Sequence, residues 1–209
     1  MKPDIDYAVY LVTARTYLAG RDFYACIEAA LKGGVTLVQL REKNLDLKGF
    51  LNLGENIKLL CDKYKVPLII NDNITASKLL NAAGVHLGQG DANIEAAREQ
   101  LGDNAIIGIS THTVAEAVDA EKRGADYLGV GAIYPTGSKA DATLVGLQML
   151  LAIKATVHIP IVGIGGIDES NYREVMNKGV AGCAMISGIL AANNIEERVK
   201  TLINDCHNN

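Results

Sequence analysis

The chain has 209 residues, of which 49% are hydrophobic, and its formal net charge is −4. This length suits one domain with a sizeable core. The absence of a basic run argues against nucleic-acid binding, and no apolar run approaches the roughly 18 residues that a membrane span needs. The four cysteines are far apart, which disfavours a disulfide framework or structural zinc. The first residues have no signal-peptide pattern, so a cytoplasmic protein is the simplest interpretation.

Short apolar runs alternate with amphipathic stretches from one end of the chain to the other. Aromatic residues make up only 5% and tryptophan is absent, so we expect a core of Ala, Val, Ile, Leu and Gly, which suits parallel strands buried on both faces. The predicted strands are residues 7–13, 35–40, 67–70, 84–87, 105–109, 127–133, 159–164 and 182–186.

Eight strand–helix units predict an α/β fold, a single (β/α)8 TIM barrel domain over residues 1–209, with the active site at the carboxyl ends of the strands. An open, doubly wound sheet is the alternative, but the first strand is not followed by the glycine-rich turn typical of that fold. Four helix N-caps are predicted, at Asp46, Thr113, Asp168 and Asn194.

The second predicted strand ends in polar residues that share one face. Side chains alternate along a strand, so Gln39, Arg41 and Lys43 lie on the face opposite Val38 and Leu40. Arg41 can hold phosphate oxygens in a bidentate manner, and Lys43 adds a point charge. This pattern predicts an anion site. The alternative is that the two cations form structural ion pairs with the nearby carboxylates, Glu42 and Asp46.

Two aspartates end the third and fourth predicted strands. Neighbouring strands lie about 4.8 Å apart, and two carboxylates that close repel each other unless a cation lies between them. Asp72 and Asp91 therefore predict a Mg²⁺ site for a diphosphate. The alternative, which does not exclude the first, is that both residues are helix N-caps.

The fifth predicted strand ends in Ser110, a candidate ligand hydroxyl. His112 follows it and has the chemistry of an acid or base, but no residue in the sequence identifies its partner. His86 lies within the fourth strand and is interpreted as a packed strand residue. We therefore expect no catalytic histidine.

The stretch after residue 128 begins as a buried strand and continues as a polar loop. Gly129 and Gly131 leave one face of the strand without side chains, which gives room for a ligand, and Pro135 is expected to end the strand. The loop then supplies two hydroxyls, a flexible backbone and a positive charge, from Thr136, Ser138, Gly137 and Lys139. A solvated surface loop is the alternative interpretation.

The seventh and eighth predicted strands end in glycines and a serine. Gly165, Gly166, Ile186 and Ser187 lie where this fold frequently binds phosphate. The alternative is simple tight turns. Together these patterns predict two anion sites, one around Arg41 and a metal, and one around these glycines.

At these residues the sequence closely resembles the thiamin phosphate synthase family. The matching segments run in order through nearly the whole chain: residues 38–43, 70–72, 84–91, 129–141, 165–167 and 186–187. The loop departs from the usual family pattern at Ser138, where a threonine is common, and Gly90 replaces a bulkier residue before Asp91.

The resemblance implies an enzyme, a transferase that joins hydroxymethylpyrimidine diphosphate to hydroxyethylthiazole phosphate and releases pyrophosphate. It implies Mg²⁺ as cofactor, with Asp72 and Asp91 as ligands. It places the pyrimidine diphosphate on Gln39, Arg41, Lys43, Asn71, Ser110 and Lys139, of which Arg41, Lys43, Ser110 and Lys139 are the expected catalytic residues. It places the thiazole phosphate on Thr136, Ser138, Gly166, Ile186 and Ser187.

The family mechanism needs charge stabilisation of a leaving diphosphate more than a strong base, which agrees with the residue types. The alternatives are a thiazole tautomerase of the same superfamily, another phosphate-binding barrel enzyme, and a non-catalytic sensor of thiazole or thiamin phosphate. The expected partners are small-molecule substrates, without nucleic acid or membrane. A homo-oligomer is compatible with the sequence, which does not specify the oligomeric state.

Overall fold

The strands of the protein are parallel and close into a barrel in their order along the chain. The computed structural model describes residues 2–90, 93–138 and 143–207. The barrel contains eight strands, each paired with its neighbours in sequence, and the last strand pairs with the first. The predicted (β/α)8 barrel is therefore confirmed, and an open sheet is excluded. The strands are β1 (Val9–Val12), β2 (Leu37–Leu40), β3 (Leu68–Asn71), β4 (Gly84–Leu87), β5 (Ile106–Thr111), β6 (Tyr127–Gly131), β7 (Ile161–Ile164) and β8 (Gly182–Met185).

Strand β6 ends earlier than predicted. Its last residue is Gly131, and Pro135 lies four positions farther along the chain. The backbone N–H of Ala132 donates to the Thr143 carbonyl at 2.9 Å, so the chain has already left the β-ladder before the proline. The prediction that Pro135 ends this strand is wrong, because the backbone turns into the loop first.

Helices connect the strands around the outside of the barrel. They are α1 (Phe23–Gly33), α2 (Leu47–Tyr64), α3 (Ile74–Leu79), α4 (Ile94–Leu101), α5 (Val114–Lys122), α6 (Gly146–Lys154), α7 (Tyr172–Met176), α8 (Ser187–Leu190) and α9 (Ile195–His207), and a short 3₁₀ helix covers Arg15–Tyr17. Among the helices that the structure describes, none is long and apolar enough to cross a membrane.

Three of the four predicted N-caps are confirmed. The side chains of Asp46, Thr113 and Asn194 each accept a hydrogen bond from the backbone N–H three residues on. Asp168 is not a cap: its carboxylate accepts from the N–H of Ser170, and α7 begins later, after Asn171. The prediction failed there because an Asx turn uses the same residue type as an N-cap.

The core has two layers. The outer layer lies between the strands and the helices and is largely aliphatic, whereas the inner layer fills the barrel itself. The inner layer contains Tyr7, Tyr10 and Tyr127, so the prediction of a purely aliphatic and glycine core is wrong there. Gly108 makes room for one of these rings, because a Cβ atom at that position would lie 2.1 Å from Cζ of Tyr127.

Candidate active site

A cavity opens where the carboxyl ends of the strands meet. It has two adjoining parts of about 450 and 110 Å³, and five residues line both: Ser110, His112, Gly129, Ile164 and Ala184. We call the larger part the cationic half; Gln39, Arg41, Lys43, Asn71 and Asp72 line it. We call the smaller part the hydroxyl half; Thr136, Ser138, Gly166, Ile186 and Ser187 line it. The structure thus brings the described candidate residues together in two adjoining groups.

The end of β2 carries the two cations of the cationic half. Val38 and Leu40 lie in the outer core layer, so the alternate residues Gln39 and Arg41 face the cavity as predicted. Thr13, just beyond β1, holds this strand end in place. Its N–H donates to the Gln39 carbonyl, and its Oγ1 accepts from the N–H of Arg41, both at 3.0 Å.

The carboxylates that were alternative partners of these cations are engaged elsewhere. Glu42 forms an ion pair with Arg15 at 2.8 Å, and Asp46 caps α2. Within residues 2–90, 93–138 and 143–207, neither Arg41 nor Lys43 forms an ion pair with a carboxylate. Among the described residues, the interpretation of Arg41 and Lys43 as members of structural ion pairs is therefore wrong. Both side chains line the cavity.

Asp72 lies directly after β3 in a left-handed backbone conformation with φ of 61°. Its N–H donates to the His86 carbonyl at 2.9 Å, and its Oδ2 accepts from the Asn71 amide at 2.6 Å. The alternative that Asp72 caps a helix is wrong, because Asn73 caps α3 with its own side chain. The second predicted metal ligand, Asp91, lies outside the described residues.

The residues of the cationic half fit a magnesium ion. Asp72 supplies a carboxylate, and the Asn71 side chain supplies an amide, at the rim of a cavity that also presents two cations. Mg²⁺ prefers oxygen ligands and usually takes one or two carboxylates from the protein, with water and phosphate oxygens in the remaining positions. The Mg²⁺ site remains a prediction.

The hydroxyl half depends on the loop after β6. The N–H of Ser138 donates to Oγ1 of Thr136 at 3.2 Å, which curls the loop. The Ser138 hydroxyl donates to the Tyr17 hydroxyl at 2.9 Å, so the 3₁₀ helix after β1 holds this loop from the other side of the barrel mouth. Lys139, the predicted charge of the loop, lies outside the described residues.

The loop after β7 packs closely against the loop after β6. Gly165 and Gly166 have φ of 95° and 66°, and a Cβ on Gly166 would lie 2.7 Å from the Pro135 carbonyl oxygen. Glycine is therefore required for this approach. Asn171 donates from Nδ2 to the Gly166 carbonyl at 2.9 Å and fixes the loop. The backbone of Gly166 is thus held at the cavity wall.

Sequence reasoning missed the polar interior below the cavity. His86 is 8% exposed, but its ring faces the inside of the barrel and lines the cationic half. Its Nδ1 is 2.8 Å from the Tyr127 hydroxyl and its Nε2 is 3.0 Å from Oγ of Ser110. The ring also occupies space beside Gly129, which was predicted to be open for a ligand: a Cβ there would lie 3.0 Å from Cε1 of His86.

The partner of His112, which the sequence did not identify, is Glu116 in the first turn of α5. Nδ1 of His112 lies 3.2 Å from Oε2 of Glu116, and the same oxygen accepts from the His112 backbone N–H at 2.7 Å. This pairing orients the ring at the boundary between the two halves of the cavity.

A family model described as thiamine monophosphate synthase matches residues 9–189. The chain belongs to this family. The thiamine-phosphate synthase of Clostridium acetobutylicum is 50% identical over 199 residues, which are 95% of this chain and 94% of that protein. The enzyme of the same name from Clostridium novyi is 48% identical over 96% of this chain and 99% of its own length.

A solved structure is similar over the same extent. Thiamine phosphate pyrophosphorylase from Pyrococcus furiosus superposes with a TM-score of 0.89 at 35% identity, and covers 97% of this chain and 96% of its own. The predicted membership in the thiamine monophosphate synthase family and the predicted enzyme class, a transferase, are confirmed. The roles of the individual site residues remain predictions.

Proposed function

We propose that the protein joins 4-amino-2-methyl-5-hydroxymethylpyrimidine diphosphate to 4-methyl-5-(2-hydroxyethyl)thiazole phosphate, giving thiamin phosphate and pyrophosphate. The reaction is a dissociative substitution assisted by Mg²⁺. The C–O bond between the pyrimidine methylene and the diphosphate breaks, and the diphosphate keeps the electron pair. The thiazole nitrogen then donates its lone pair to the methylene carbon and forms the new C–N bond.

The two-part cavity is the observation that supports this function. The cationic half offers Arg41 and Lys43 to a diphosphate, and the hydroxyl half offers Thr136 and a glycine-rich backbone to a monophosphate. The two halves adjoin at Ser110. Two phosphorylated molecules bound in this way have their uncharged rings at the shared wall, where the new bond forms.

The residues of the cationic half act on the leaving group. Arg41 and Lys43, together with Lys139 outside the described residues, neutralise the charge that grows on the diphosphate oxygens as the C–O bond breaks. Positioned charges of this kind contribute more in a cavity than in water, because little solvent has to reorganise. No strong base is needed at the reacting carbon, so the chemistry does not depend on His112.

Asp72 and Asp91 would hold the magnesium ion, and Asn71 lies beside Asp72. When bound, the ion supplies further positive charge to the diphosphate oxygens. The thiazole phosphate rests on Thr136, Ser138, Gly166, Ile186 and Ser187, which neutralise little charge and orient the thiazole nitrogen toward Ser110.

A turnover assay tests the proposal. The purified protein is mixed with both substrates and Mg²⁺, and thiamin phosphate is followed through its fluorescent oxidation product; a parallel sample contains EDTA. We expect product only without EDTA. Folded protein that binds thiazole phosphate but makes no product with Mg²⁺ would overturn the proposal and favour the tautomerase or sensor alternatives.

A further inference from the structure

Five buried or half-buried side chains form a continuous hydrogen-bond chain across the inside of the barrel. Nε2 of Gln39 donates to the Tyr10 hydroxyl at 2.8 Å, and the hydroxyls of Tyr10 and Tyr127 are 3.0 Å apart. The Tyr127 hydroxyl lies 2.8 Å from Nδ1 of His86, whose Nε2 lies 3.0 Å from Oγ of Ser110. The chain crosses β2, β1, β6, β4 and β5.

The direction of the chain follows from its first member. The amide nitrogen of Gln39 can only donate, so the Tyr10 oxygen accepts and the Tyr10 proton is directed to Tyr127. The Tyr127 proton is then directed to Nδ1 of His86, which therefore accepts. A neutral imidazole that accepts at Nδ1 carries its proton on Nε2 and donates to Ser110.

Burial makes the opposite direction costly. Tyr10 is 1% exposed and Tyr127 is fully buried, so a hydroxyl proton directed away from the chain would lose its hydrogen bond inside the barrel. Burial also raises the pKa of both phenols well above its ordinary value. Both hydroxyls therefore keep the proton that the chain needs.

We infer that Tyr10, Tyr127 and His86 are positioning residues that fix Ser110 as a hydrogen-bond donor at the cavity and Gln39 as an acceptor. Because one N–H of Nε2 donates to Tyr10, the orientation of the Gln39 amide is fixed, and its Oε1 can accept from a ligand. With Ser110 accepting from His86, its own proton remains to donate. The Gln39 acceptor and the Ser110 donor match an aminopyrimidine, which has an exocyclic amino donor and ring-nitrogen acceptors. This last assignment rests on the proposed function.

The tautomer of His86 tests the direction without reference to turnover. The chain has four histidines, so long-range ¹H–¹⁵N NMR spectra of the full-length protein resolve the rings, and His86→Gln assigns the signals of His86. We expect a neutral ring with the proton on Nε2. A proton on Nδ1, or a doubly protonated ring, would overturn the inference whether or not the protein makes thiamin phosphate.

Variants then separate positioning from general stability. Tyr127→Phe is expected to mix the His86 tautomers, because Nδ1 loses its donor, and Tyr10→Phe is expected to mix them too, because Tyr127 then has no donor that directs its proton to His86. Tyr7→Phe is the matched control: the Tyr7 ring packs against Tyr127 with centroids 4.8 Å apart, but its hydroxyl is not in the chain. Thermal melts verify that each variant folds. A Tyr127→Phe spectrum identical to that of Tyr7→Phe would refute the inference.

The kinetic readout distinguishes the two substrates. Loss of one oriented hydrogen bond to the pyrimidine costs about 1 kcal/mol, so Tyr127→Phe should raise the KM for the pyrimidine diphosphate about fivefold. The KM for thiazole phosphate should stay within about twofold, since the hydroxyl half is held by other contacts. Equal increases in both KM values, as a structural role would produce, would contradict the assignment to the pyrimidine.

Discussion

Replacing Gly108 by alanine should destabilise the barrel from the inside. The new methyl carbon would lie 2.1 Å from Cζ of Tyr127, whereas carbon atoms in contact normally lie about 3.5–4.0 Å apart. The ring cannot easily move, because the Tyr7 ring packs against it and the Tyr127 hydroxyl bonds to Tyr10 and His86. Overpacking of this kind costs about 1–3 kcal/mol. This cost exceeds the ~0.4–1 kcal/mol by which alanine stabilises a protein relative to glycine, because alanine restricts the unfolded chain.

A net loss of about 1–2 kcal/mol corresponds to a fall in Tm of about 2–8 °C for a chain of this size. Urea unfolding measures the loss of free energy of unfolding, and a thermal melt measures the fall in Tm. Gly90→Ala is the control: a Cβ at that position has no atom of the described residues within 4 Å, so the substitution should leave Tm nearly unchanged. Because Tyr127 also supports His86, Gly108→Ala should raise the KM for the pyrimidine diphosphate as well. A Gly108→Ala protein as stable as the unaltered one, with an unchanged KM, would refute the packing argument.

Further predictions concern the site and the surface. Asp72→Asn should abolish Mg²⁺-dependent binding of the pyrimidine diphosphate, while thiazole phosphate still binds. Calorimetry with each ligand measures this. Equal loss of affinity for both ligands would contradict the assignment of one ligand to each half of the cavity. Ser138→Ala and Tyr17→Phe each remove the same hydrogen bond, so each should raise the KM for thiazole phosphate a few-fold. The double variant should raise it about as much as either single variant does. If the effects of the two substitutions add fully in the double variant, the Ser138–Tyr17 hydrogen bond is not what supports thiazole phosphate binding. The Arg123 guanidinium holds the pKa of the Glu95 carboxyl at about 2, below its ordinary 4.5. The stability from that pair is therefore present above about pH 4.5 and lost as the pH falls toward 2. Glu95→Gln should flatten the urea-unfolding stability over this pH range, and an unchanged acid dependence would refute the pairing.

The barrel could be predicted because its strands are separate apolar runs. Each run is buried on both faces, so its position along the chain is visible without knowledge of its neighbours. The ends of the runs were less certain. In β6 the apolar residues continue past Gly131, but the N–H of Ala132 already donates to Thr143 in the following loop. Hydrophobicity alone does not distinguish a buried strand from a buried turn.

The two groups of site residues could also be predicted, because alternation and the carboxyl-end rule place them. The hydrogen-bond chain could not, since its members become neighbours only through the pairing of different strands: His86 on β4 and Tyr127 on β6 both pair with Gly108 on the strand between them. One signal was present: Tyr127 lies on the same face of the strand as Gly129 and Gly131, the face that the sequence predicts to have room for a ligand. Applying that alternation to the start of the strand would have placed the tyrosine inside the barrel.

The aspartate and asparagine after β3 show a second case in which the sequence does not determine the role of a residue. Asp72 and Asn73 are both good helix caps and adjacent in sequence, so residue type cannot decide between them. The left-handed backbone at Asp72 decides the question in the structure, because it leaves Asn73 as the residue that caps α3 and Asp72 at the cavity.

The shared wall of the cavity has a consequence for inhibition. Ser110, His112 and Gly129 line both halves, and Gly129 contributes no side chain as a partition between them. With the reaction proposed above, thiamin phosphate spans both halves at once, whereas pyrophosphate fills only the cationic one. The organic product should therefore compete with each of the two substrates. Pyrophosphate should compete with the pyrimidine diphosphate alone, and so slow the forward reaction without displacing the thiazole.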